Sequence, residues 1–117
     1  MIGVLTVVSG PDAGREFRLE AEHKTFWIGR GSKCQFILTD PTASRRHGRF
    51  LKTKSKVLFT DGESKNGTKI NEKRVEKSAY LNDGDRITLG KTIVEFKSVE
   101  GEPAKGEVDK PPSAALS

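Results

Sequence analysis

The sequence has little of several features that mark other classes of protein. It contains one cysteine, which excludes an internal disulfide framework and fits a reducing compartment such as the cytoplasm. Its apolar runs, such as residues 57–59, are far too short for a transmembrane helix. Cys34, His23 and His47 are the only soft metal ligands, and nothing places them at zinc spacing. We therefore expect a cytoplasmic chain with no membrane span, no metal and no cofactor.

Acidic residues are missing from one stretch of the chain. None lies between Asp40 and Asp61, where the basic residues are Arg45, Arg46, Arg49, Lys52, Lys54 and Lys56. The formal net charge of the 117 residues is +5. Such a basic region indicates an anionic partner, which can be nucleic acid, membrane phosphate or a phosphoprotein. Charge alone favours a different interpretation, in which strand-edge lysines keep a small sandwich soluble and discourage edge pairing.

Most of the chain has the pattern of β-strands. Short runs that are rich in β-branched and aromatic residues are separated by turn sequences such as Asp61-Gly62 and Asn66-Gly67. No window keeps the apolar period of a helix. The predicted strands cover residues 3–8, 15–20, 25–28, 35–38, 48–53, 57–60, 68–70, 86–89 and 93–97. The fold class is therefore all-β, either a sandwich or a barrel.

The composition changes near residue 99. Residues 1–98 contain the predicted strands, and residues 99–117 combine proline, glycine and charged residues with almost no large apolar side chain. A segment of this composition cannot bury enough apolar surface to offset the entropy lost on ordering. We expect one domain over 1–98 and a flexible linker or tail over 99–117.

Polar and basic residues are concentrated in three predicted loops. Gly29-Arg30 follows a strand, Ser44-Arg45-Arg46-His47 follows the turn Asp40-Pro41, and Ser64-Lys65-Asn66-Gly67-Thr68 follows another strand. Loops at one end of a sandwich cluster in space even when they are far apart in sequence. Arginine offers a fork of donors that matches phosphate oxygens, serine adds a short donor, and asparagine can both donate and accept. The three loops together predict an oxyanion-binding site.

In order and spacing, these loops resemble the signature of the forkhead-associated (FHA) domain. The matching motifs are Gly29-Arg30, Ser44-x-x-His47 and Asn66-Gly67-Thr68-x-x-Asn71. The resemblance covers about residues 3–98 and looks most like bacterial members. It implies an eleven-stranded antiparallel β-sandwich that binds phosphothreonine peptides through loops at one end.

The resemblance also implies a role for each matching residue. Phosphothreonine binding is assigned to Arg30, Ser44, Arg45, Lys65 and Asn66, with Asn66 holding the main chain of the peptide. Structural support of the binding loops is assigned to Gly29, His47, Gly67, Thr68 and Asn71. Lys65 stands where many relatives have a small or hydroxyl residue. It either reaches the phosphate or selects an acidic neighbour in the peptide, and the sequence leaves both open.

Three other functions compete with this interpretation. An enzyme is disfavoured because Ser44 and His47 lack an orienting acid and a Gly-x-Ser-x-Gly elbow. A nucleic-acid-binding barrel is favoured only by the basic charge, and a phosphate-independent scaffold requires the motif residues to serve no ligand. We therefore expect a non-enzymatic reader of phosphothreonine proteins that acts downstream of a Ser/Thr protein kinase, is monomeric as an isolated domain, and binds neither membrane nor nucleic acid.

Overall fold

The computed structural model describes residues 1–62 and 64–99, which form eleven strands. Their bounds are β1 (Ile2–Ser9), β2 (Glu16–Leu19), β3 (Lys24–Gly29), β4 (Phe36–Ile37), β5 (Gly48–Lys52), β6 (Val57–Asp61), β7 (Thr68–Ile70), β8 (Lys73–Arg74), β9 (Ser78–Tyr80), β10 (Arg86–Leu89) and β11 (Thr92–Val99). The all-β prediction and the strand number are confirmed. Nine strands correspond to the runs predicted from the sequence, whereas β8 and β9 have no counterpart among them.

The strands form two sheets. One sheet has six strands in the order β2-β1-β11-β10-β7-β8, and the other has five in the order β4-β3-β5-β6-β9. The sheets pack face to face through side chains that alternate along each strand, as in other sandwiches. The register Ile28↔Gly48 and Gly48↔Asp61 brings the end of β3, the start of β5 and the end of β6 together. The loops at those three points therefore open at the same end of the sandwich.

One strand pair corrects the expected antiparallel arrangement. β3 and β4 run parallel, with Ile28 opposite Phe36 and Gly29 opposite Ile37. Parallel neighbours usually need a long crossover. Here β4 has only two residues, so the loop over residues 30–35 returns the chain by a short distance and no helix is needed. All other strand pairs among the described residues are antiparallel.

The core lies between the two sheets. Phe50 and Phe59 are directly opposite each other on β5 and β6, and their ring centroids are 5.2 Å apart. Leu5 and Ile87 from the six-stranded sheet are also fully buried. Burying side chains of this size stabilises the fold by about 1.5–3 kcal/mol each. The core therefore holds the strand ends from which the loops emerge.

The expected boundary at residue 99 lies at the limit of the described residues. Val99 is the last residue of β11 and pairs with Ile2. The rest of the proposed linker, residues 100–117, lies outside the described residues, as does Glu63. In the part of the chain that the structure describes, no helix is long and apolar enough to cross a bilayer.

Candidate functional site

Three loops meet at the end of the sandwich where β3 ends and β5 begins. They are the 30–35 loop, the 38–47 loop and the 62–67 loop. The Arg30 N–H donates to the Ser44 carbonyl at 3.1 Å, and the Gly31 N–H donates to the Arg45 carbonyl at 3.0 Å. The Lys65 N–H donates to the Ser44 hydroxyl oxygen at 2.9 Å. The 38–47 loop is therefore bonded to both other loops.

Arg30 is exposed, but one end of its guanidinium is fixed. Its Nε–H donates to the Ala43 carbonyl at 2.7 Å. Within the described residues, its two terminal nitrogens have no hydrogen-bond partner. A guanidinium held through Nε presents a preorganised fork of N–H donors, which is the geometry that binds phosphate oxygens.

Ser44 lies between the other two loops. Its backbone N–H donates to the imidazole of His47, its carbonyl accepts from Arg30, and its hydroxyl oxygen accepts from Lys65. The hydroxyl hydrogen remains available as a donor. Three bonds from one residue fix the position of this donor beside the Arg30 fork.

Asn66 is held by one half of its amide. Its Nδ2 donates to the Thr42 carbonyl at 2.9 Å, and the side chain is exposed. One N–H and the Oδ1 acceptor remain, which is the pair needed to bond both a C=O and an N–H of a peptide backbone. This bond ties Asn66 to the 38–47 loop, which also carries Ser44.

Two charged side chains complete the rim. Arg45 and Lys65 are exposed, and neither forms an ion pair with any described residue. They add to the positive charge that Arg30 brings to these loops. A surface groove of about 910 Å³ lies elsewhere, along β8 and β9.

His47 joins two of the loops from below the surface. It is fully buried, its Nδ1 accepts from the Ser44 N–H at 3.0 Å, and its Nε2 donates to the Gly67 carbonyl at 2.9 Å. This pattern requires the neutral imidazole with its hydrogen on Nε2. Burial lowers the pKa of His47 below its ordinary value, although the bond to Gly67 opposes the shift. The expected supporting role of His47 fits these contacts.

Two positions at these loops require glycine, one because of a close contact and one because of a positive φ. A side chain at Gly29 would collide with the carbonyl oxygens of Ser44 and Arg45. Gly67 has a φ of +78°, and a Cβ there would lie 3.2 Å from the Arg74 guanidinium. Gly29 therefore sets how closely the 38–47 loop approaches β3, and Gly67 allows the turn that carries Asn66.

The last two expected supporting residues lie at opposite ends of β7. Thr68 is buried at its start, and its hydroxyl donates to Asp61 at 3.4 Å. Asn71 lies beyond its other end, where its side chain bonds Asp85 at 2.8 Å and the Arg86 N–H at 3.0 Å. The structure does not bring Asn71 to the three loops.

Sequence reasoning missed Asp40. This buried carboxylate accepts from the Thr42 N–H and hydroxyl through one oxygen, and from the Lys91 N–H and the Thr92 hydroxyl through the other. Burial by itself would raise the pKa of Asp40, but hydrogen bonds from Thr42, Thr92 and Lys91 lower it to about 2. Asp40 thereby ties the 38–47 loop to the β10–β11 turn. The Asp-Pro-Thr sequence, typical of a side-chain-capped turn, is the signal that was available.

Known proteins are similar to this chain in sequence. The family model described as the inner membrane component of T3SS, cytoplasmic domain, matches residues 6–100. The FHA domain-containing protein FhaB of Mycolicibacterium smegmatis is 31% identical over 93 residues, which cover 80% of this chain and 59% of that protein. This chain therefore spans less than two thirds of the length of that curated relative.

Solved structures give the same result. An FHA domain solved in a study of phosphothreonine-dependent FHA domain interactions has a TM-score of 0.77 and 31% identity, covering 86% of this chain and 99% of its own. The FHA domain of the CT664 protein from Chlamydia trachomatis has a TM-score of 0.80 and 25% identity, covering 86% of this chain and 100% of its own. The chain belongs to the FHA domain family.

Proposed function

We propose that this chain is a non-enzymatic module that binds phosphothreonine peptides. The observation that carries the proposal is the shared rim of Arg30, Ser44 and Asn66, whose side chains are each held by one hydrogen bond and each keep a donor free. A binding site of this kind needs donors that are positioned before the ligand arrives, because ordering them on binding would reduce the affinity.

The phosphate is recognised by charge and by donor geometry. A phosphothreonine brings about −1.5 to −2 charges and three strong acceptor oxygens. The Arg30 fork and the Ser44 hydroxyl bond these oxygens, and Arg45 adds positive potential. Each charge-assisted bond contributes about 1.5–3 kcal/mol before the cost of ordering is subtracted.

The peptide backbone is held by Asn66. Its free N–H and Oδ1 can bond one carbonyl and one N–H of an extended ligand, which fixes the register of the peptide. Lys65 lies next to Asn66 and is exposed, so it reads a side chain that follows the phosphothreonine or reaches the phosphate itself. Preference for threonine over serine rests on the family relationship.

The biological setting follows from the ligand. A phosphothreonine reader acts downstream of a Ser/Thr protein kinase, and its partner is the phosphorylated protein. We place this activity in the cytoplasm, which fits the single free cysteine. The FHA domain solved in the study of phosphothreonine-dependent FHA domain interactions supports the ligand class.

The test is binding to a degenerate phosphothreonine peptide library, with phosphoserine and unphosphorylated libraries as controls. The proposal expects selection of phosphothreonine peptides, and binding that is about 10- to 150-fold weaker in Arg30→Ala. A nucleic-acid-binding protein would instead ignore phosphothreonine and bind oligonucleotides with an affinity that falls steeply as salt is added. Binding in the library that is independent of phosphate would support a scaffold.

A further inference from the structure

The outer face of the five-stranded sheet carries apolar and basic side chains in two cross-strand rows. In the first row, Trp27 lies opposite Arg49. In the second row, Leu51 lies opposite Leu58, and Leu58 lies opposite Tyr80. Because Phe50 and Phe59 point into the core, their neighbours along the strands point outward. We call this surface the Trp27 face; it comprises Trp27, Arg46, Arg49, Leu51, Lys56, Leu58 and Tyr80.

Two arginines are stacked on Trp27. The guanidinium carbons of Arg46 and Arg49 lie 5.2 Å and 5.4 Å from the Trp27 ring. Stacking restrains a guanidinium while leaving its N–H edges free to bond. Neither arginine forms an ion pair or a side-chain hydrogen bond with a described residue. The Trp27 face thus holds two oriented positive groups with free N–H edges.

The second row adds exposed apolar surface. Tyr80 is 59% exposed, and the Lys56 ammonium lies 5.1 Å from its ring centroid. Leu51 and Leu58 beside it are only partly buried. An aromatic ring and two leucines framed by cations are typical of an interaction surface, where Tyr, Trp and Arg dominate the binding energy.

Acidic groups near this face offset only part of its charge. Asp61 and Glu76 line the cavity beside Trp27, together with Arg49 and Lys77. The basic side chains outnumber these two carboxylates: they are Arg46, Arg49, Lys56 and Lys77. The face therefore keeps a positive net charge, which is complementary to an acidic partner.

The Trp27 face is continuous with the candidate site. Arg45 belongs to the rim and Arg46 follows it in the chain, stacked on Trp27. Gly62, in the 62–67 loop, lies close to Trp27 and to Arg46. A Cβ at this position would lie 3.2 Å from the Trp27 ring and would collide with the Arg46 carbonyl. A ligand held at the rim can therefore extend onto this face without crossing an intervening element.

We infer that the Trp27 face is a second docking surface, for an acidic segment with aromatic or leucine side chains in the same phosphoprotein that the loops capture. The identity of the partner rests on the proposed function. The acidic groups pair with Arg46 and Arg49, and the apolar side chains cover Leu51, Leu58 and Tyr80. Two linked contacts raise the affinity because the second one forms at a high effective concentration.

The test compares a short and an extended peptide by calorimetry. The short probe is a phosphothreonine peptide selected on the loops, and the extended probe adds a randomised arm selected on the wild-type protein. Selected arms should be rich in Asp, Glu, Trp and Leu and should tighten binding by about tenfold. Arg46→Ala/Arg49→Ala should remove this gain and keep the affinity for the short peptide. Arg18→Ala, on the other sheet, is the matched control.

The outcomes separate this inference from the proposed function. Arms without acidic residues, or a gain that survives in Arg46→Ala/Arg49→Ala, would overturn the docking surface while the short peptide still binds. A short peptide that fails to bind would overturn the proposed function. The unphosphorylated arm alone then tests the Trp27 face, because it should bind the wild-type protein and should not bind Arg46→Ala/Arg49→Ala. Tyr80→Ser, at an exposed position, gives a second readout should the double variant fold poorly.

Discussion

The imidazole of His47 accepts a hydrogen bond from the backbone N–H of Ser44 at 3.0 Å. The other ring nitrogen donates to the carbonyl of Gly67, so a fully buried side chain connects two of the three loops. Protonation of Nδ1 would turn this acceptor into a donor facing another donor. The position of the Ser44 hydroxyl therefore depends on a neutral His47.

The first prediction is an acid-side loss of stability that depends on His47. Burial lowers the pKa of His47 in the folded chain, so below about 6.5 the unfolded chain binds a proton that the folded chain excludes. The contribution of His47 to the free energy of unfolding is therefore fully present above that pH. Below it, the free energy of unfolding falls by up to about 1.4 kcal/mol per pH unit, until the pKa of His47 in the folded chain is reached. Urea unfolding between neutral and mildly acidic pH measures this slope.

The controls use the two histidines. His47→Asn should lower stability at neutral pH and flatten the slope, whereas His23→Asn, at an exposed position with a φ of +58°, should keep the slope. An unchanged slope in His47→Asn would contradict the coupling of the two loops.

The second prediction concerns Arg30. Arg30→Ala removes the guanidinium fork and should weaken phosphothreonine peptide binding by about 10- to 150-fold, since a charge-assisted bond is worth about 1.5–3 kcal/mol. The unfolding midpoint should change little because the side chain is exposed. Calorimetric titration measures the affinity, and Arg18→Ala on β2 controls for loss of one positive charge. An affinity within twofold of wild type, at about 0.4 kcal/mol or less, would show that Arg30 does not bind the phosphate.

The third prediction concerns the Ser44 hydroxyl. Ser44→Ala removes a phosphate donor and leaves the Lys65 N–H without its acceptor, so affinity should fall by about 5- to 30-fold. Ser55→Ala, in an exposed bend, is the matched control and should bind like wild type. Equal affinities of the two variants for the phosphothreonine peptide would show that the Ser44 hydroxyl does not bind the phosphate.

The fourth prediction concerns Asp40. In Asp40→Asn one carboxylate oxygen becomes an NH₂ group that faces donors, so the variant should lose about 2–3 kcal/mol of stability and bind more weakly. Because the pKa of Asp40 is lowered to about 2, its contribution in wild type is complete above about pH 4 and is lost as the pH falls toward 2. Chemical unfolding in this range measures it. Asp83→Asn, at an exposed position, should leave both properties unchanged.

The sequence predicts the long strands but not the short ones. β1 is a run of mostly apolar and β-branched residues that ends in a turn sequence, and this composition predicts a strand. In β11, buried and partly buried residues alternate from Thr92 to Phe96, which defines its inner face. β8 consists of two exposed basic residues. In β9 only Ala79 is partly buried, and the other two residues are exposed. Their pairing is set by neighbouring strands, so no local sequence pattern predicts it.

The sequence predicts which loops form the site but not what holds them. The motifs identify Arg30, Ser44 and Asn66, whose contacts the structure brings to one rim. The bond between Asp40 and Thr92 joins residues 52 positions apart, and no spacing rule reveals such a contact. Asn71 matches the motif, yet its hydrogen bonds serve the β7–β8 turn.

The most direct test is calorimetric titration of one peptide in its phosphothreonine, phosphoserine and unphosphorylated forms. The proposed function predicts binding of the phosphothreonine form, binding of the phosphoserine form that is weaker by about tenfold because a buried methyl is missing, and no measurable binding of the unphosphorylated form. Arg30→Ala should weaken binding of the phosphothreonine form by about 10- to 150-fold. Equal binding of all three forms would contradict the central claim that this rim reads phosphothreonine.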